Sequence, residues 1–180
     1  FHRKLNDFES LEGDAIAEVI LTSGTWSQPK GVTLTHKNLL SNLAAVDAVY
    51  RLDGSEKLLS ILPLSHAYEQ MCGLFIPLYR GATITYLSEI RADLLVEAIK
   101  EHEITTIVAV PRILELLRKG VLRRIADSKR SSFESFVIRA RLLPVAARRK
   151  VFARVHVSFG TSLRTFVIGG APLEQKLDYF

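Results

Sequence analysis

The chain has 180 residues, 48% hydrophobic and 24% charged, with a net charge of +5. Such a composition builds one good core or two small ones and excludes an intrinsically disordered chain. No stretch approaches 18 uninterrupted apolar residues, and the polar start Phe1-His-Arg-Lys-Leu-Asn-Asp-Phe8 has no apolar signal core, which argues against a transmembrane helix or secretory leader and for an intracellular protein.

Residues 1 to 17 are a polar, acidic lead-in. Val19, Ile20 and Leu21 then enter a small hydroxyl-rich turn, and Gly31-Val-Thr-Leu-Thr35 leaves it with β-branched alternation, which predicts two strands joined by a loop. Thr35 is placed to cap a helix over 36–50, with Leu39, Leu40, Leu43, Val46 and Val49 at helical spacing. Lys57 to Leu62 reads as a short buried strand ended by Pro63, and Glu69 to Leu78 as an apolar helix.

The alternation continues with a strand over 82–87, a helix over 91–102, a strand over 105–110 and a helix over 113–119 opened by Pro111. Residues 121 to 157 read as helical with a break at Pro144, and Thr165 to Ile168 as a last strand running into Gly169-Gly-Ala-Pro-Leu173. Strands alternating with helices of about ten residues imply crossover units. The expected fold is α/β: a mostly parallel sheet with helices on both faces, plus the β-hairpin and its loop.

Charge is unevenly spread. Residues 118 to 154 hold twelve Lys or Arg against Asp127 and Glu134, a net +10, so the remainder carries −5. The single Cys72 lies in an apolar run and reads as an inert buried thiol, and His2, His36, His66, His102 and His156 have no metal-ligand spacing.

Three constellations bear chemistry. In the hairpin turn, hydroxyls and backbone N–H groups can converge while Lys30 supplies a mobile cation, the equipment for holding a polyphosphate, although the order is not that of a Walker loop. An ordinary polar hairpin turn is the competing reading. The run Ile61-Leu-Pro-Leu-Ser-His-Ala-Tyr-Glu69 sets His66 and a carboxylate just beyond a strand end, where open α/β sheets collect ligands; His66 as a plain helix-start residue is its alternative. Gly169 and Gly170 offer bare backbone on which a planar base or an acyl chain can lie. Arg112, after Val110-Pro111 at another strand end, reads as a solvated helix-start residue, with a place facing an anion as its alternative.

These runs resemble, in order, the motifs of the adenylate-forming acyl-CoA synthetases. Thr22, Ser23, Gly24, Thr25, Pro29, Lys30 and Gly31 match the family's T-S-G-T-T-G-x-P-K-G signature. Trp26 and Ser27 stand where the family has Thr and Gly, so an indole replaces a small hydroxyl and a Cβ appears where Gly permits positive φ. Residues 62–69 resemble the L-P-L-x-H-x-x-E block, and Gly169 to Leu173 the G-G-A-P-L turn.

The basic helical segment over 118–157 most resembles the long-chain fatty acyl branch. The resemblance implies that residues 1–180 are part of a large N-terminal adenylation domain. A chain that starts without Met and stops at Phe180 inside a helical pattern fits a piece of a longer protein, with the C-terminal domain absent.

As the resemblance implies, the function is ATP-dependent ligation of a long-chain fatty acid to coenzyme A through an acyl-adenylate, with Mg²⁺ as the metal. Thr22, Ser23, Gly24, Thr25 and Lys30 are then expected at the ATP phosphates, Gly169, Gly170, Ala171 and Pro172 at the adenine and acyl pocket, and His66 at the acyl substrate. The family's Y-G-x-T-E block, whose carboxylate holds Mg²⁺, does not occur in these residues. The chain alone is therefore expected to be inactive, with no complete catalytic set and no metal site.

Two other classes compete. One is a catalytically silent homologue serving as a binding or scaffold module. The other is a basic domain peripheral to an anionic membrane through 118–154, located in the cytoplasm. Nucleic acid fits poorly, because that segment offers only Phe133, Phe136 and Phe152 for stacking and no reader motif.

Overall fold

The β-branched alternation on either side of the turn produces a hairpin. Strand β1 (Ile16–Thr22) pairs antiparallel with β2 (Lys30–Thr35), from Thr22 opposite Lys30 to Ile16 opposite Thr35, with a register shift between Ile16 and Glu18. The structure is a computed structural model that describes residues 12–22, 30–50, 52–123 and 127–178, with the backbone alone at 127–131, 134, 176 and 178.

Thr35 caps helix α1 (His36–Val49) through a reciprocal box: its hydroxyl accepts from Asn38 N–H at 3.2 Å while Asn38 Oδ1 accepts from Thr35 N–H at 3.0 Å. Leu39, Leu43 and Val46 turn inward, as the spacing predicts. Leu40 and Val49 do not, because they lie off that stripe, and they are 63% and 88% exposed.

Four short strands, β3 (Lys57–Ser60), β4 (Thr83–Tyr86), β5 (Thr106–Ala109) and β6 (Thr165–Ile168), form a wholly parallel sheet in the order β4-β3-β5-β6. Alternate side chains point to opposite faces. Leu59, Ile107 and Ala109 join Leu95, Ile99, Ile113 and Leu117 on one side, while Leu58 and Val108 join Met71, Cys72 and Ile76 on the other. The first face is covered by α4 (Ala92–Glu101) and α5 (Pro111–Leu122). The second is covered by α1 and by the connection between β3 and β4. Helices on both faces of a parallel sheet agree with the fold class read from the sequence.

Two helical expectations change in detail. The stretch expected as one helix over 69–78 is a single turn, α2 (Ala67–Glu69), a π-helical segment (Gln70–Phe75) and a short α3 (Ile76–Arg80). Pro77 has no N–H to donate, and in a regular helix its ring would strike the Gly73 carbonyl; the wider turn ahead of it, with Ile76 N–H bonded to Met71 O, relieves this. The segment after α5 is divided twice. Its helices are α6 (Asp127–Ala140), α7 (Val145–Val151) and α8 (Ala153–Phe159), so the chain breaks at Phe152 as well as at Pro144. The Phe152 ring packs against Phe136 with centroids 5.6 Å apart. A four-residue α9 (Gln175–Asp178) follows β6.

Cys72 is buried, and burial pushes its thiol up to about 11, consistent with an inert structural residue. Among the described residues no helix is long and apolar enough to cross a membrane.

Candidate functional site

The strand order makes a switch point. From β3 the chain goes to β4 on one side and then returns to β5 on the other, and beyond the carboxyl ends of strands at such a point open parallel sheets collect ligands. Three connections meet this edge: residues 61–67 after β3, Val110-Pro111 after β5, and Gly169 to Pro172 after β6. Two of the predicted elements, the His66 turn and the double glycine, are thus brought to one edge of one sheet.

His66 is the N-cap residue of α2. Its N–H donates to Pro63 O at 3.0 Å and its carbonyl accepts from Gln70 N–H at 3.0 Å, but its exposed side chain makes no capping bond. The helix-start description is therefore right for the backbone, and the imidazole is left available to a ligand. Arg112 is exposed at the start of α5, as expected.

At the glycine turn the structure corrects the sequence reading. Gly169 N–H bonds to Ala109 O at 3.2 Å, but the space above it is filled by the chain's own Tyr68: a Cβ at Gly169 would stand 2.5 Å from Tyr68 Cε2. The missing side chain at Gly169 makes room for a tyrosine rather than leaving open backbone. Tyr68 in turn donates its hydroxyl to Val167 O at 2.8 Å, and burial pushes its pKa up. Gly170 has φ +76°, which a side chain would strain, and Ala171 and Pro172 are exposed beyond it.

The hairpin brings Thr22 opposite Lys30 at the end of its ladder nearest the connecting residues, with the Thr22 hydroxyl 3.3 Å from Lys30 O and both residues exposed. Ser23, Gly24 and Thr25, together with Trp26, Ser27 and Pro29, lie outside the described residues. A tie joins this hairpin to the His66 element. Gln70 Nε2 donates to Glu18 Oε2 at 2.6 Å, and Glu18 Oε1 is buried without a hydrogen-bond partner.

Glu69, the carboxylate that the sequence places in the His66 run without a role of its own, is fully buried. Its Oε1 accepts from Ser60 Oγ at 2.5 Å, and Oε2 has no hydrogen-bond partner. Burial pushes its pKa up, with the Ser60 hydroxyl and the backbone at Leu62 and Ile61 pulling the other way. A signal existed: Glu69 directly precedes the apolar Met71-Cys72, and Gly73 stands four residues on, where a helix brings residues together.

Among the described residues no three His, Cys, Asp or Glu side chains are grouped to hold a metal ion.

Comparison with known proteins follows the same lines. A family profile described as AMP-binding enzyme matches residues 3–180. Long-chain-fatty-acid–CoA ligase ACSBG2 of Homo sapiens is 33% identical over 193 aligned positions, covering 96% of this chain and 29% of that protein. Long-chain-fatty-acid–CoA ligase 2 of Schizosaccharomyces pombe is 29% identical, covering 94% of this chain and 27% of that protein. The chain thus spans under a third of the length of these curated relatives.

Among solved structures, the N-terminal domain of FACL13 from Mycobacterium tuberculosis superposes with a TM-score of 0.67 at 24% identity, covering 94% of this chain and 34% of that one. ATP-bound MatB from Rhodopseudomonas palustris superposes at 0.62 and 21% identity, covering 91% of this chain and 26% of that one. At these identities both share the fold. With the profile matching nearly every residue, the chain belongs to the AMP-binding enzyme family.

Proposed function

We propose that the protein carrying this chain is an acid–thiol ligase that joins a long-chain fatty acid to coenzyme A at the expense of ATP. The observation that carries the reading is the family match over residues 3–180, joined to 33% identity with a long-chain fatty acid ligase over 96% of the chain. In the first step the fatty carboxylate attacks the α-phosphorus, forming an acyl-adenylate and releasing pyrophosphate. In the second the coenzyme A thiol attacks the acyl carbonyl, forming the thioester and releasing AMP.

Both nucleophile and electrophile are anionic in the first step, so the protein must hold and shield the phosphates in line. Thr22, Ser23, Gly24, Thr25 and Lys30 are assigned to that task. His66, with Gly169, Gly170, Ala171 and Pro172, is assigned to the acyl-adenylate side; at Gly169 the ligand meets the Tyr68 ring instead of backbone. Mg²⁺ would neutralise phosphate charge, and no part of the present assignment depends on it.

Peripheral contact with the cytoplasmic face of an anionic membrane is a second part of the proposal. It is supported by the turn between α6 and α7, where Leu142 is 83% and Val145 62% exposed beside the exposed Arg139, Arg141, Arg149 and Lys150. Apolar side chains flanked by cations suit the interface of such a membrane, which also holds the substrate.

The test is thioester formation by the full-length protein with ATP, coenzyme A and palmitate. Acyl-CoA with equimolar AMP and pyrophosphate is the expected result. Nucleotide and acid binding with no thioester would replace the ligase reading by that of a silent binding module.

A further inference from the structure

The connection that carries His66 is held by the buried Ile61 at its start and by Tyr68 and Gln70 beyond its end, with only a backbone turn bond from His66 to Pro63 between them. It runs from the end of β3 through the exposed Pro63, Leu64 and Ser65 into α2, which is three residues long and lacks a side-chain cap. A single turn is unstable on its own, and the π-helical segment that follows is only six residues. Something outside the turn must determine where His66 stands.

Among the described residues one carboxyl, Glu69, is fully buried, and it adds a fastening from inside the fold. Ser60 closes β3 and is 1% exposed; nine residues later, Glu69 Oε1 accepts from its hydroxyl at 2.5 Å. The carboxyl also rests directly on Gly73, where a Cβ would come within 2.5 Å of Oε1 and 3.3 Å of Ser60 Oγ. A leucine or methionine would be easier to bury at this place than a carboxyl with one oxygen unpartnered. What an aliphatic contact lacks is direction: it lets a short turn slide, whereas a hydrogen bond in a low-dielectric interior holds one geometry.

We infer that Glu69 is the positioning residue for His66, clasped to Ser60 across the foot of the turn and seated in the space that Gly73 leaves. This rests on the ligase reading for its kinetic consequence, but not for its structural one. Glu69 touches no substrate; it acts through the placement of an imidazole three residues earlier in the chain. Displacement of a reacting group by 1 Å can cost about 100-fold in rate.

The experiment uses the full-length protein with H66A, E69A, S60A, E69Q and the H66A/E69A double substitution. E69A and S60A are expected to lower kcat/KM for the fatty acid by roughly tenfold to 100-fold while the KM for ATP stays within about twofold. The double substitution is expected to be no worse than H66A alone. E69Q, whose amide oxygen still accepts from Ser60, should recover most of the loss. Full additivity of H66A and E69A would overturn the proposal, as would an E69Q as poor as E69A.

A second readout is independent of turnover. With ¹³C-labelled histidine, the His66 imidazole resonance should shift in E69A and S60A and stay in place in E69Q. An unmoved resonance in S60A overturns the clasp even if E69A fails to fold. Absence of thioester formation by the wild type would remove the ligase reading and leave this measurement standing.

Discussion

Tyr68 lies against Gly169 so closely that a single added methyl group would stand 2.5 Å from its ring. The tyrosine hydroxyl reaches past the glycine to Val167 O, so one side chain fastens α2 to the end of β6. Gly169→Ala should therefore expel the ring and cost about 1–3 kcal/mol, the usual penalty for overpacking. Tyr68→Phe, which loses the hydrogen bond alone, should cost about 1 kcal/mol. Chemical denaturation measures both, and a Gly169→Ala protein as stable as wild type would show that the ring has room to move.

The contact between Glu18 and Gln70 joins the hairpin to the His66 element across the chain. Gln70→Ala leaves Glu18 with both oxygens unpartnered in a half-buried place, at a cost of about 1–3 kcal/mol. Removing both side chains should cost less than the sum of the two single substitutions. A double-mutant cycle in urea reads the difference, and strict additivity would mean that the contact does not couple the two elements.

Glu69 makes stability depend on pH. Its folded pKa is raised, so the folded chain holds the proton more tightly than the unfolded chain does. Its favourable contribution is full below the ordinary carboxylate range and is lost as pH rises through the folded pKa. The groups that face it, Cys72 and Tyr68, stay neutral over that range because burial pushes both of them up. The unfolding free energy of Glu69→Gln should therefore rise relative to wild type between pH 4 and pH 8. A difference that does not change with pH would show that Glu69 titrates normally.

Trp26 and Ser27 occupy positions where the related signature has Thr and Gly. A Ser forced to positive φ costs roughly 1 kcal/mol, and an inward indole would take space the phosphates need. Trp26→Thr with Ser27→Gly in the full-length protein should lower the KM for ATP or raise kcat. Unchanged kinetics, with nucleotide quenching the fluorescence of the single tryptophan in the wild type, would show the two substitutions to be harmless.

The turn between α6 and α7 should bind anionic vesicles weakly and in a salt-sensitive way. Each basic residue near such a surface contributes about 1 kcal/mol, screened over roughly 10 Å at 0.1 M salt. Leu142→Asp with Val145→Asp should abolish co-sedimentation. Binding that is equal at low and high salt would exclude the electrostatic part of the mechanism.

Local signals were strong where one element decides its own structure. Thr35 announced its cap, the alternation around the turn its hairpin, and Thr165 to Ile168 its strand, residue for residue. His66 and the double glycine were legible as a pair of strand ends. What could not be read is the content of the space between them, because Tyr68 meets Gly169 only after the sheet has brought residues a hundred positions apart together. The burial of Glu69 was hidden for a related reason: a carboxylate in sequence reads as solvated, and only packing reveals that Gly73 makes a berth for it. The π-helical winding before Pro77 was equally out of reach, since its signature is a hydrogen-bond register rather than a residue type.

The strand order also sets a schedule for assembly. The β3 and β4 strands can pair as soon as Thr83 to Tyr86 have been synthesised, and β5 can follow beside β3. The last strand, β6, must wait for all of α5 to α8 to emerge, because Thr106 pairs with Thr165. During that wait β5, four fully buried residues in the finished sheet, has one bare edge. An unpaired apolar edge is a template for pairing with other chains. The four helices between them therefore lengthen the interval in which a nascent chain is exposed to aggregation, and any factor that speeds their folding should raise the yield of soluble protein.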